Sequence, residues 1–130
     1  MPVVTLTVTD TGRNLLRDGL SGAANPKITY FAIGSGTTAA TTSDTKLQIE
    51  TFRKKVTSFT NGASAGEILI NVYIASGDAV NADIEEIGVF GGSSATNTPN
   101  TGVLLGRALW AHSPKLATES VQLSLDFQVS

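Results

Sequence analysis

Val121-Gln122-Leu123-Ser124-Leu125-Asp126-Phe127-Gln128-Val129 alternates apolar and polar residues without a break. Successive side chains of a strand point to opposite faces. This period of two therefore gives one dry face (Val121, Leu123, Leu125, Phe127, Val129) and one wet face. The pattern recurs upstream, where Ile68, Ile70, Val72 and Ile74 share a face and Asn71 and Tyr73 take the other. Asn61-Gly62 precedes it as a turn signal, so residues 51–76 read as a β-hairpin with a loop longer than two residues.

Other segments are apolar without alternation. Ile28 to Gly34 (ITYFAIG) and Ile84 to Gly92 (IEEIGVFGG) read as largely buried strands. GVLLGRALWAH, residues 102–112, reads as a strand with a glycine in its middle, which marks a bulge or a close backbone approach. Val3 to Val8 is a further short strand.

The one helical segment is TDTGRNLLRDGLSG, residues 9–22. Thr9, Asp10 or Thr11 caps it, Leu15, Leu16 and Leu20 form its apolar stripe, and Gly22 ends it in a left-handed turn. Arg13 and Arg17 read as its solvated face. Lys46 to Glu50 reads as one more helical turn. The expected fold class is α+β and β-rich: antiparallel sheets or a small sandwich with one N-terminal helix, in a single domain over residues 1–130.

Composition narrows the function. The 130 residues hold 41% hydrophobic and 15% charged residues, a normal core share with few charges. Nine Lys and Arg against eleven acids leave a net charge of -2, which lacks the basic face that phosphate contacts require. Nucleic acid is not expected as a partner. Cysteine is absent, which removes disulfides, thiolate catalysis and sulfur-ligated zinc. The opening residues MPVVTLTVTD show neither a basic n-region nor a long apolar run, so no signal peptide is expected. No stretch approaches the about 18 apolar residues of a membrane-spanning helix, so no membrane insertion is expected.

No convergent chemistry is legible, and the chain reads as a non-enzyme with no cofactor and no metal. His112, the single histidine, has no GxSxG serine to activate. Glu85 and Glu86 are adjacent in a strand and point to opposite faces; one is expected in solvent and the other paired with Arg or Lys across strands. Asp83 and Glu85 share a face without a histidine beside them. Gly34-Ser35-Gly36 lacks the remainder of a phosphate-binding loop and reads as a tight turn. Arg53, Lys54 and Lys55 form the basic cluster of the chain, expected on an edge strand protected from aggregation or at a partner contact. Trp110 and Tyr73 are aromatic candidates for an interface, with core packing as their commoner use.

Four blocks of the sequence, in order, resemble the N-terminal module of phage tail-collar fibre proteins. They are TDTGRNLLRDGL (9–20), similar to a T-x-x-G-x-x-L start; YFAIGSG (30–36) with LQIE (47–50) downstream; EIGVFGG (86–92), similar to an ELGLF block; and GVLLGRALW (102–110) ahead of the alternating terminal strand. Ile84-Glu85 stands where an aromatic residue commonly precedes the third block.

The resemblance implies a structural virion protein of a bacteriophage tail, as a fibre, collar or baseplate component acting in assembly or attachment. It implies a homo-oligomer, with a trimer favoured, other tail proteins as partners, and synthesis in the host cytoplasm. The alternative is a carbohydrate- or receptor-binding module of a phage adhesion device. The polar loops Ser35 to Thr45 and Gly92 to Gly102 are long for a compact domain and are expected to order against neighbouring subunits or the tail. The candidate interface residues are Arg53, Lys54, Lys55, Trp110, Thr37, Thr38, Asn97 and Asn100.

Overall fold

The computed structural model describes residues 2–129. The chain order is β1 (Val3–Thr5), β2 (Thr7–Val8), α1 (Asp10–Leu20), β3 (Ile28–Gly34), β4 (Glu50–Lys55), β5 (Ser58–Asn61), β6 (Glu67–Ile74), β7 (Ile84–Gly91), β8 (Val103–His112) and β9 (Val121–Gln128). The strands form a four-stranded sheet, β1-β9-β6-β5, and a five-stranded sheet, β2-β8-β7-β3-β4. All pairs are antiparallel except β1 with β9. The fold is thus α+β and β-rich, as the sequence indicates.

Apolar residues of both sheets meet in one core. Ile70, Val72, Ile74, Leu123, Leu125 and Phe127 face Phe31, Ile33, Ile87 and Val89. Each such side chain contributes roughly 1.5–3 kcal/mol when taken from water. The alternation of β6 and β9 is therefore the signature of a sheet with one face in solvent.

The five-stranded sheet is buried on both faces, which explains its unbroken apolar runs. Its outer face is covered by the segments before β4 and between β7 and β8. Leu47, 1% exposed, packs with Ala32, Phe90 and Leu104 in a second cluster on that outer side. Gly88 makes room for it: a Cβ there would sit 2.8 Å from Leu47 Cδ2. The molecule thus has three layers, the third built from polar loops.

Both sides of the sandwich are closed by chain that changes sheet. Leu6 N donates to Asp126 O in one sheet, and Thr9 N donates to Leu105 O in the other. On the opposite side Val56 N donates to Thr29 O and Thr57 N to Asn71 O. The edge strands β1, β2 and β5 are accordingly short, three, two and four residues long.

The expected hairpin over residues 51–76 is a correction. Its first half, β4, pairs with β3 in the five-stranded sheet, and the hairpin is β5 with β6. Val56-Thr57 turns the chain between sheets without glycine or proline, and side-chain alternation does not reveal which neighbour a strand bonds. The expected helical turn at Lys46 to Glu50 is also absent. The Gln48 and Ile49 amides are drawn to the Glu86 carboxylate, each at 2.8 Å, and are unavailable to a helix.

The helix starts where expected. Thr9 caps it, accepting from Gly12 N at 3.0 Å. A Cβ on Gly12 would lie 2.7 Å from Leu105 Cα, so this residue type lets the first turn rest on β8. Leu15 is buried, Leu16 packs partly on the core, and Leu20 is 92% exposed, outside the expected stripe. Gly22 has φ +79°, the left-handed ending the sequence indicates. The mid-strand glycine of β8 also behaves as expected. Val89 faces Gly106 and Phe90 faces Leu104, so Leu105 is the extra residue of a bulge.

Candidate functional site

Glu86 projects from β7 under the first polar loop and is 0% exposed. Its Oε2 accepts from Gly36 N and Ile49 N, and its Oε1 from Gln48 N and Arg107 Nε, at 2.8, 2.8, 2.8 and 2.9 Å. Two donors per oxygen fill the acceptor sites of a carboxylate. Burial alone would raise the Glu86 pKa. The amides of Ile49 and Gln48, the Arg107 guanidinium and the Gly36 amide outweigh it and hold the group below its ordinary value. Such a carboxylate is a structural anion, not a base with a free lone pair.

Arg107 extends the clasp. Its Nη1 lies 3.1 Å from Asp44 Oδ2, and its Nη2 donates to Thr38 O at 2.8 Å. Gly34 and Gly36 are required by proximity, since a Cβ would meet Ile49 O at 2.1 Å and Glu86 Oε2 at 2.4 Å respectively. The expected tight turn thus wraps a carboxylate of the chain itself. The expectation that one of Glu85 and Glu86 pairs across strands holds for Glu86.

A second clasp holds the other polar loop. Arg53 Nε and Nη2 bind Glu50 Oε2 and Oε1 at 2.8 and 2.9 Å, with side chains 1% and 0% exposed. Arg53 Nη1 donates to Thr101 O at 2.7 Å and Thr96 O at 3.0 Å, and Asn100 N donates to Glu50 Oε1 at 3.1 Å. The guanidinium carbon lies 4.1 Å from the Phe90 ring centroid.

These clasps correct two expectations. Arg53 is not an outward contact residue, because its donors and its ring contacts are spent inside the fold. The long loops are not waiting for a neighbour to order them; their backbones are bonded to buried charges of the same chain. Thr37 and Asn97 remain exposed on the loops. Thr38 and Asn100 are exposed too, but their backbones are held, and Asn100 adopts φ 64°.

The remaining candidates disperse. β4 is an edge strand, as expected for the basic cluster. Lys54 Nζ lies 2.7 Å from Asp78 Oδ2 and 5.3 Å from the Tyr73 ring centroid. Lys55 is exposed. Trp110 packs partly on the core, and its ring stacks on His112 with centroids 5.4 Å apart. His112 Nε2 pairs with Glu119 at 3.0 Å, while Ser113 donates to Asp83, so imidazole and hydroxyl have separate partners. Among the described residues no group of three or more His, Asp or Glu is placed to hold a metal. No helix among them is long and apolar enough to cross a membrane.

Arg107, Glu50 and Leu47 were not singled out from the sequence. A signal for Arg107 exists: one charge inside the apolar run VLLGRALW must find a partner when buried. Lys115 is similar, 0% exposed with Nζ bonded to Ser76 O and Leu116 O at 3.1 and 2.9 Å.

Open surfaces among the described residues include a cleft of about 370 Å³ at the first clasp, lined by Thr38, Asp44, Leu47 and Arg107. The outer face of the four-stranded sheet carries a groove of about 440 Å³, where Leu69 and Val72 line it beside Ser58, Thr60, Asn71, Tyr73 and Gln122. At one end of the sandwich Leu16, Ile28, Phe59, Ile68 and Phe127 line an apolar groove of about 280 Å³. A slot of about 290 Å³ lies beside it, between Lys27 and Lys55. No protein-family model matches the chain, and no curated protein or solved structure matches it.

Proposed function

We propose that the chain is a structural component of a bacteriophage tail, a fibre, collar or baseplate part that acts in assembly or attachment. One observation carries the reading. The four blocks that resemble the tail-collar fibre module are distant in sequence, yet they meet in space. YFAIGSG and LQIE supply the Gly36, Gln48 and Ile49 amides, EIGVFGG supplies Glu86, and GVLLGRALW supplies Arg107. The first block joins the same assembly, because Thr9 Oγ1 bonds to Leu104 O. Residues that resemble a family pattern here serve a buried scaffold, as a load-carrying part without chemistry requires.

On this reading the chain is made in the host cytoplasm, joins other tail proteins in the virion, and is a homo-oligomer with a trimer favoured. Gold-labelled antibodies against the chain are expected to mark the tails of particles in a lysate that contains it. Particles that stay unlabelled while the chain is present in the lysate would overturn the proposal. Light scattering on the purified chain checks the trimer, three times 13.5 kDa.

The second reading, a carbohydrate- or receptor-binding module, is favoured by the groove on the four-stranded sheet, where Tyr73 stands beside the polar side chains of Ser58, Thr60, Asn71 and Gln122. Asn71 Nδ2 donates to Ser58 Oγ and Thr60 Oγ1, each at 3.0 Å, so each hydroxyl accepts there and keeps its own hydrogen for another acceptor. A glycan-array signal that Tyr73→Ala removes would favour this reading over the first.

A further inference from the structure

β5 is the outer strand of the four-stranded sheet, and all four of its residues are exposed. Gly62 N donates to Glu67 O at 2.9 Å, and Thr60 and Ser58 stand opposite Leu69 and Asn71. Alternation along an antiparallel ladder then turns the amide and carbonyl of Phe59 and Asn61 away from β6. The preceding strand does not use them, because β4 belongs to the other sheet.

The side chains around this edge have a definite chemistry. Phe59, 41% exposed, forms a wall of the 280 Å³ apolar groove and also lines the 290 Å³ slot. Lys27 and Lys55 line the slot, and no carboxylate lines either cavity. Their side chains have no hydrogen bond or ion pair among the described residues, whereas Lys54 and Lys115 are both bonded. Thr29 Oγ1, buried and without a hydrogen-bond partner, belongs to the same slot.

We propose that this end of the sandwich binds an extended acidic segment of a partner chain, which adds a strand to β5. Its backbone pairs with Phe59 and Asn61, an apolar side chain enters the groove, and carboxylates meet Lys27 and Lys55. A second copy presenting the same end is disfavoured, because a two-fold contact sets each patch against itself and brings the lysines together. The inference does not rest on the virion reading, since a peptide tests it on the isolated chain.

The test is a titration of the isotope-labelled full chain, followed by amide resonances. The first probe is a blocked hexapeptide of alternating valine and glutamate. The second has lysine in place of glutamate. Saturable shifts centred on Phe59 and Asn61 are expected with the acidic peptide, and binding roughly tenfold weaker with the basic one. A Lys27→Glu and Lys55→Glu double variant, its fold checked by circular dichroism, is expected to reverse that preference. Three outcomes would overturn the proposal: unchanged spectra up to about 1 mM of the acidic peptide, equal affinity for both, or shifts confined to another edge.

Discussion

Glu86 Oε1 and Arg107 Nε lie 2.9 Å apart on neighbouring strands, with 0% and 2% of their side chains exposed. Removing one partner leaves the other charge buried with incomplete compensation. Glu86→Gln or Arg107→Met is expected to cost about 3–5 kcal/mol. The double variant is expected to cost less than the sum, because neither charge then remains stranded. Urea denaturation of the four chains measures the coupling; additive costs would show that the two groups act independently.

Acid should weaken the fold through the same carboxylate. The folded Glu86 pKa lies below the ordinary 4.5, so its stabilisation is complete above that value and is lost as pH falls through the folded one. Asp78, held down first by Lys54, acts in the same direction. So does Asp44, whose bonds to Thr41 and Arg107 outweigh its burial. Asp126 opposes them. Burial and then the Glu67 carboxyl raise it above 3.8, so acid relieves a cost there. The net expectation is a urea midpoint that falls below about pH 4.5, with a shallower acid limb in Glu86→Gln. Equal limbs in the two proteins would remove Glu86 from the account.

Leu47 fastens the first polar loop to the five-stranded sheet. Leu47→Ala is expected to cost about 2–5 kcal/mol. Exchange of the Gly36, Gln48 and Ile49 amides should accelerate more than that of Val72 in the opposite sheet. Uniform acceleration across both sheets would mean that the loop layer has no stability of its own.

Two glycines separate lack of space from backbone strain. Gly36→Ala forces a Cβ to within 2.3 Å of Gln48 Cβ and is expected to cost about 1–3 kcal/mol or more. Gly22→Ala meets nothing within 4 Å but keeps φ +79°, and about 1 kcal/mol is expected from that strain. Thermal denaturation of both variants checks the order.

The sequence settled the elements whose signal is local. The alternation of residues 121–129 and 68–74 marks strands with one wet face, because side-chain direction is a property of a single strand. Thr9 and Gly22 fix the helix ends because capping involves residues a few positions apart. Adjacent Glu85 and Glu86 imply one carboxylate in solvent and one paired by the same local geometry; Glu86 is the paired one, and Glu85 is half-buried.

Tertiary structure decided what depends on distant partners. Nothing in residues 51–76 shows that β4 bonds to β3, since alternation is blind to the neighbouring strand. Arg53 reads as an exposed cation in sequence, yet Glu50 and Phe90 enclose it once the second loop closes over them. The loops at residues 35–45 and 92–102 look unanchored because their own residues carry few apolar groups. Their anchors are backbone amides and carbonyls, which every sequence has, and buried charges on other strands give those groups partners only when the chain is folded.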